Sequence, residues 1–237
     1  MKEKIKNFIK KTIFFKMYVK YISLKNRKRK QLENMYFKKE GLELLQHFSD
    51  VLNAEKIMFW LDFGTLLGYY REHDFIAHDD DIDIGAHIED APKIREALEK
   101  SGFELVKHFH TVKDNNLEEC YRYKHTLIDI FYFQPEGKNM YCYIYFPYNE
   151  GFFPKHYEKG EKRPYKVDKV TVFVESFDSV LFKDIKVNVP HNIENYLAEH
   201  YGDDYMTPNP KFSRKEVSKN TISLPYNEAP AYAYLYI

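Results

Sequence analysis

Residues Trp60–Gly85, WLDFGTLLGYYREHDFIAHDDDIDIG, bring a small-residue turn and a cluster of carboxylates within a few turns of each other. Asp79, Asp80, Asp81 and Asp83 stand at the entrance of an apolar alternation, Ile82 and Ile84, that stops at Gly85. In an extended strand successive side chains point to opposite faces, so Asp79, Asp81 and Asp83 share one face and the isoleucines the other. Like charges stacked in this way cost stability unless a cation lies between them. Oxygen ligands with no His or Cys in the set suit Mg²⁺ or Mn²⁺ rather than Zn²⁺. A solvated acidic turn has the same local composition, and an Asp-x-Asp by itself does not separate the two.

The segment just upstream favours the metal. Phe59–Phe63 is expected to be a buried strand. It leads into Gly64-Thr65 and then a short helical stripe of Leu66, Leu67, Tyr69 and Tyr70 that ends near Arg71. A strand, a Gly-Thr turn and a helix N-terminus present backbone N–H groups and a hydroxyl beyond the strand end, an arrangement that suits phosphate. An ordinary tight turn would also use Gly-Thr.

Together these residues resemble a known family. Strand, Gly-Ser/Thr, helix and a hydrophobic-Asp-hydrophobic-Asp strand are the signature of the polymerase-β-like nucleotidyltransferase fold. The longer string FGTLLGYYREHDFIAHDDDIDIG looks like the LicD family of phosphocholine and ribitol-phosphate transferases, with His78 where that family usually has Trp. A second match follows in VPHNIENYLAEHYGDDYMTP, a Pro-led helix and a Tyr-Gly-Asp, so the resemblance covers roughly residues 40 to 210.

The resemblance implies an α/β (α+β) fold, a nucleotidyltransferase-like mixed sheet flanked by helices. It also implies a donor, a CDP-linked alcohol such as CDP-choline or CDP-ribitol. The acceptor would be a sugar hydroxyl of a cell-surface glycan or glycolipid, and the by-product CMP. In that scheme Asp79, Asp81 and Asp83 hold the metal, Asp81, Asp83 and Asp129 are catalytic, and Gly64, Thr65 and Arg71 contact the donor or hold the helix that does. Asp129 also stands out by its setting. It is a lone carboxylate in the run LIDIFYF, where burial without a cation or donors would cost several kcal/mol; an edge-strand Asp facing water is the alternative. Three other readings remain. One is NMP transfer with release of pyrophosphate. Another is a metal-dependent glycosyltransferase, which also uses Asp-x-Asp but gives no reason for Gly-Thr. The last is an inactive membrane-associated binding module.

The 237 residues accommodate one substantial core with an appendage. The formal net charge of zero conceals an asymmetry. Residues 1–30 carry ten Lys and two Arg against Glu3 alone, which leaves the body acidic. Ile5, Phe8, Ile9, Ile13, Met17 and Tyr21 recur at helical spacing among those lysines, as expected of a basic amphipathic N-terminal helix. Such a helix either lies on an anionic membrane surface or packs on the body. No nucleic-acid-binding module accompanies it, so a nucleic-acid partner is not expected. Without an apolar leader or a spanning run, a cytoplasmic protein is expected, peripheral at the inner membrane face if the helix binds there. Cys120 and Cys142 have neither disulfide-scaffold nor zinc spacing and are expected to be reduced thiols.

The expected organisation is a basic arm over 1–31, a catalytic domain over 32–210 and a tail over 211–237. Further expectations are a helix opening at Asp90-Ala-Pro92, a strand pair Glu119–Lys124 and Thr126–Gln134, and a charged loop from Tyr157 to Lys169. A second strand pair is expected over Val170–Phe177 and Ser179–Val189. The tyrosine-rich stretch from Tyr141 to Phe153 reads either as a packed sheet face or as a platform for a sugar or choline.

Overall fold

The computed structural model describes residues 13–147, 162–209 and 212–236. It has the expected mixed sheet with flanking helices. Helix α1 (Ile13–Ala54) leads into strand β1 (Phe59–Leu61), helix α2 (Phe63–Glu72) and strand β2 (Asp81–His87). A single 3₁₀ turn, Ile88–Asp90, precedes α3 (Ala91–Lys100), whose second residue is Pro92. The N–H that proline lacks has no partner in a first turn, so Pro92 fits there and the helix opens where expected. Then come β3 (Glu104–Thr111), β4 (Leu117–Tyr123), β5 (Thr126–Glu136), β6 (Asn139–Pro147), β7 (Lys162–Val172), β8 (Phe177–Phe182) and β9 (Ile185–Pro190). The last elements are α4 (Ile193–Tyr201), the short α5 (Arg214–Val217), β10 (Thr221–Leu224) and β11 (Ala231–Leu235).

Strand β2 pairs in parallel with β5 and antiparallel with β1. Beyond β5 the sheet curls and closes on itself in the ring β3-β4-β5-β6-β7-β11, because β11 pairs with β3 on one side and β7 on the other. The ring interior is filled by Phe109, Tyr143, Tyr145 and Val167, while Ala231 and Ala233 of β11 keep that wall thin. Small residues facing large ones across a narrow ring are what lets side chains fill it without a void. On the other face Ile82, Ile84, Ile128 and Ile130 are fully buried, in one cluster with Leu44, Phe48 and Leu52 of α1 and Ile94 and Leu98 of α3. Gly85 is small for a packing reason: a Cβ there would sit 2.1 Å from Trp60 Nε1.

Four features differ from expectation. The boundary at residue 31 falls inside one continuous helix, since no Pro or Gly interrupts the chain before Gly41; residues 1–12 of the expected basic helix lie outside the described residues. The segment read as a charged loop contributes β7 from Lys162 onward, with Val167 packing into the ring interior and Val170 and Val172, on the opposite face, into the main core. The expected pair over Val170–Val189 is instead the hairpin β8–β9, turned by Lys183 and Asp184 at φ 48° and 69°. Both turn residues are left-handed and neither is glycine, so the usual sequence signal for a two-residue turn is missing. Lastly, the expected tail contributes α5, β10 and the ring-closing β11.

Candidate active site

Parallel register sets the site. Asp83 is the Cα partner of Asp129, and Asp129 is in turn the partner of Cys120 on β4, which faces Lys107 on β3. Paired residues on neighbouring strands project to the same face, so Asp83, Asp129, Cys120 and Lys107 form one row across the sheet at the mouth of the ring, with Asp81 two residues along β2. The same alternation drives Ile82 and Ile84 into the core, and that burial locks the register carrying the aspartates outward.

Helix α2 meets this row at its first turn. Asp62 caps it, its Oδ1 accepting from the N–H of Phe63 at 2.8 Å and from the hydroxyl of Tyr196 at 2.9 Å. The next N–H, of Gly64, donates to Asp83 Oδ2 at 2.8 Å. The N–H of Asp83 donates to Thr65 Oγ1 at 2.9 Å. Gly64 and Thr65 thus act on Asp83, fixing its backbone and one carboxylate oxygen. Asp79 joins from the loop before β2: a Cβ on Gly64 would lie 3.0 Å from Asp83 Oδ2 and 3.6 Å from Asp79 Oδ2, so both carboxylates converge on this glycine. Arg71 hydrogen-bonds to none of them, donating instead to Glu72 Oε1 at 2.7 Å and to the carbonyl of Tyr205 at 3.2 Å. It ties α2 to the loop after α4.

Burial is the largest cause that raises the pKa of Asp79, Asp81, Asp83 and Asp129, and repulsion from neighbouring aspartates adds to it. Asp79 is pushed up to about 6 and Asp81 to about 8. Asp83 stands well above the carboxylate range because of burial and its neighbours Asp81 and Asp129. Asp129 is raised by burial although Cys120 and Lys107 pull it down, and its Oδ1 is buried without a hydrogen-bond partner. Among the described residues no three His, Cys, Asp or Glu side chains are already gathered at ligand spacing around one point. The donor set nevertheless fits a hard divalent cation: every candidate ligand is a carboxylate, and one buried oxygen has no partner.

Several residues that sequence reading did not single out complete the site. Asn34 of α1 reaches across to the loop before β2, its Nδ2 donating to the carbonyls of Asp79 at 2.6 Å and Ala77 at 3.2 Å. Asp62 lies fully buried beneath the first turn of α2, its pKa pushed up to about 7 by desolvation. Lys107 ends the row across the sheet, and Arg214 of α5 lies over the Phe63 ring at 4.8 Å. Neither cation carries a local signal, because Lys107 sits in a half-buried strand and Arg214 in a stretch of mixed charge. Lys124 and His125 are tied to Glu43 and Glu40 of α1.

The tyrosine-rich strand is packed rather than open. Tyr143 donates to Asp114 Oδ2 at 2.5 Å and Tyr145 to the carbonyl of Asn116 at 3.0 Å, inside the ring. Residues 148–153 of that stretch lie outside the described residues. Both cysteines are buried and free.

The family model described as LicD/FKTN/FKRP, nucleotidyltransferase domain, matches residues 56–192. The ribitol-5-phosphate transferase FKTN of Mus musculus is 32% identical over 179 residues, which make up 75% of this chain and 35% of that protein. The Homo sapiens protein of the same name is also 32% identical over 179 residues, with the same coverage. The chain therefore spans about a third of the length of these relatives. The lincosamide antibiotic adenylyltransferase LnuA superposes with a TM-score of 0.42 at 17% identity, over 71% of this chain and 92% of its own, a likeness too distant to bear on function.

Proposed function

This chain belongs to the LicD/FKTN/FKRP nucleotidyltransferase-domain family, and from that premise we propose that it moves a phospho-alcohol from a CDP-linked donor to a sugar hydroxyl of a glycan or glycolipid, releasing CMP. The observation that carries the reading is the register of β2 on β5, which sets Asp81, Asp83 and Asp129 on one face beside the N-terminus of α2. Phosphoryl transfer asks little covalent chemistry of a protein; it needs charge neutralisation, in-line positioning and an activated hydroxyl.

Asp79, Asp81 and Asp83 are the residues that would hold Mg²⁺ or Mn²⁺, which when bound supplies neutralising charge to the donor diphosphate. Gly64 and Thr65 hold Asp83 in place, and the N-terminus of α2 lends its dipole to the same point. Asp129 completes the ligand set or takes the proton of the attacking hydroxyl. Arg71 keeps α2 in register with the loop after α4.

The test is CMP release from a panel of CDP-alcohols with Mg²⁺ and a glycan extract, comparing wild type with Asp83→Asn. Release from one donor that the variant abolishes names the donor. Pyrophosphate release from nucleoside triphosphates, with no CMP from any CDP-alcohol, would instead assign the site to nucleotidyl transfer.

We further infer that the outer part of α1 rests on an anionic membrane face where such an acceptor is built. Met17, Val19, Tyr21 and Leu24 are exposed among Lys20, Lys25, Arg27, Lys28 and Arg29, a pattern that suits an interfacial helix. No described helix is long and apolar enough to cross a membrane. Co-sedimentation with phosphatidylserine vesicles, lost at high salt and in a Tyr21→Asp, Leu24→Asp double variant, is the expected result. Equal recovery with neutral vesicles would remove this reading.

A further inference from the structure

The sheet face that carries the carboxylates borders a second cavity at its other end. On β2 the residues Asp83, Gly85 and His87 share that face, and Asp129, Phe131 and Phe133 of β5 lie beside them in register. Four residues along the strand put His87 about 13 Å from Asp83. Trp60 stands between the two. It is the partner of Gly85, is fully buried, and fills the space that a Cβ on that glycine would need. Beyond this wall opens a cavity of about 360 Å³, whose lining includes His87, Glu89, Phe133, Lys138, Asn139 and Phe177.

The chemistry of this cavity differs from that of the carboxylate row. Phe177 leans on Trp60 with ring centroids 4.6 Å apart, and the His87 ring meets Trp60 edge-on at 5.2 Å. Both side chains are thereby fixed against the core. The His87 ring nitrogens, the Glu89 carboxylate, the Lys138 ammonium and the Asn139 side-chain amide make no hydrogen bond or ion pair among the described residues. Glu89 and Lys138 alone would be ordinary solvated charges. The half-buried His87, held between two aromatic rings with its polar atoms uncommitted, is what marks the cavity as a site. One carboxylate and one ammonium offset each other, which gives a diphosphate or a divalent cation no net attraction. Donors and acceptors stand together beside phenyl surface, in a volume within the range of about 300–1,000 Å³ usual for small-ligand sites. A sugar ring has the matching surface, with C–H groups on its faces to lie on an aromatic ring and hydroxyls at its rim that both donate and accept.

We propose that this cavity binds a neutral sugar residue of the glycan acceptor, a unit remote from the hydroxyl that reacts. That the sugar belongs to an acceptor rests on the function proposed above; that the cavity takes a neutral sugar rests on its own lining. Holding the glycan at a second point raises the effective concentration of its reacting end at the carboxylates without any contact to the donor. The cavity therefore contributes to acceptor affinity and leaves the chemical step alone.

The experiment uses the full chain without donor. Trp60 is the only tryptophan and touches two lining residues, so its emission reports on the cavity. The methyl glycosides of glucose, galactose, mannose and N-acetylglucosamine are titrated into wild type, a Glu89→Ala, Asn139→Ala double variant and Asp83→Asn, with saturation-transfer NMR on the same sugars. At least one glycoside is expected to bind wild type and Asp83→Asn alike, and the double variant about fivefold more weakly, the worth of about one hydrogen bond. Both altered positions of the double variant are exposed, so its fold is kept, and a melting temperature checks this. No binding of any of these sugars to wild type, or equal binding to the double variant, would overturn the cavity as a sugar site. Binding lost in Asp83→Asn and kept in the double variant would put the sugar at the carboxylates, which overturns the cavity and leaves the transferase reading standing. In the CMP-release assay the double variant should raise KM for the glycan acceptor about fivefold, with kcat and donor KM unchanged. Sugar binding at the cavity with no CMP release from any CDP-alcohol would keep the sugar site and overturn its role toward an acceptor.

Discussion

The backbone N–H of Gly64 donates to Asp83 Oδ2 at 2.8 Å, joining the first turn of α2 to the carboxylate row. A Cβ at position 64 would lie 3.0 Å from that same oxygen. Alanine is intrinsically better than glycine in a helix by roughly 1 kcal/mol, so Gly64→Ala should fold at least as well as wild type. It should nevertheless weaken Mg²⁺ binding and turnover by about tenfold or more through displacement of Asp83. Unchanged Mg²⁺ affinity by calorimetry would separate Gly64 from the site.

The aspartate cluster makes a signed prediction about pH. Asp81, with its pKa raised to about 8, binds a proton in the folded chain at pH values where the unfolded chain, near 3.8, has released it. Between those values the folded state binds more protons, so stability falls as pH rises, by about 1.4 kcal/mol per unit for each group in transit. Metal-free protein should therefore melt at a lower temperature at pH 8 than at pH 6. Added Mg²⁺ should narrow the difference, and Asp83→Asn should raise the metal-free melting temperature at pH 8 while abolishing the Mg²⁺ response. A melting temperature independent of both pH and Mg²⁺ would contradict the convergence of these carboxylates.

His200 carries the opposite sign. Buried against Phe63 at 5.1 Å, its pKa is depressed to about 3 by desolvation and by Arg214. The unfolded chain takes up a proton near 6.5 and the folded chain does not, so this residue withdraws stability as pH falls below about 6.5. By pH 5 the loss is about 2 kcal/mol. Urea denaturation at pH 7.5 and pH 5 should show a smaller acid loss in His200→Phe than in wild type; an equal loss would mean that the ring is solvated and titrates freely.

Asn34 links α1 to the loop carrying Asp79. Removing its amide in Asn34→Ala should cost about 1 kcal/mol of global stability, the usual worth of such hydrogen bonds. The larger effects should be local: faster proteolysis within residues 73–80 and several-fold weaker Mg²⁺ binding. Protection of that loop equal to wild type would show that other contacts hold it.

Closure of the ring depends on the last strand. Ending the chain at residue 210 removes β11 from between β3 and β7 and exposes Phe109, Tyr143 and Tyr145. Two strand edges would then stand unpaired over an apolar interior, a condition that favours aggregation. The shortened protein should be insoluble or lack a cooperative thermal transition. A soluble product with a wild-type melting temperature would show that the ring holds without β11.

Much of the site was legible in the sequence because it is local. The alternation of Asp81, Ile82, Asp83 and Ile84 assigns each side chain to a face, and the face holding isoleucine must be the buried one. Gly64-Thr65 after a buried run marks the start of α2, and a lone Asp129 in LIDIFYF stands out wherever that strand lies. What the period of two cannot encode is the partner. Asp83 meets Asp129, and Lys107 joins their row, because strands distant in the chain pair in one register, which is set by packing of Ile82, Ile84, Ile128 and Ile130 against α1 and α3. The same limit explains residues 212–236. Ala231 and Ala233 look like weak, small-residue strand positions until the narrow ring they close, crowded with Phe109, Tyr143 and Tyr145, makes small side chains the ones that fit. The sequence determined the chemistry available at the mouth of the sheet and the faces it could occupy; long-range strand pairing decided which of those groups meet.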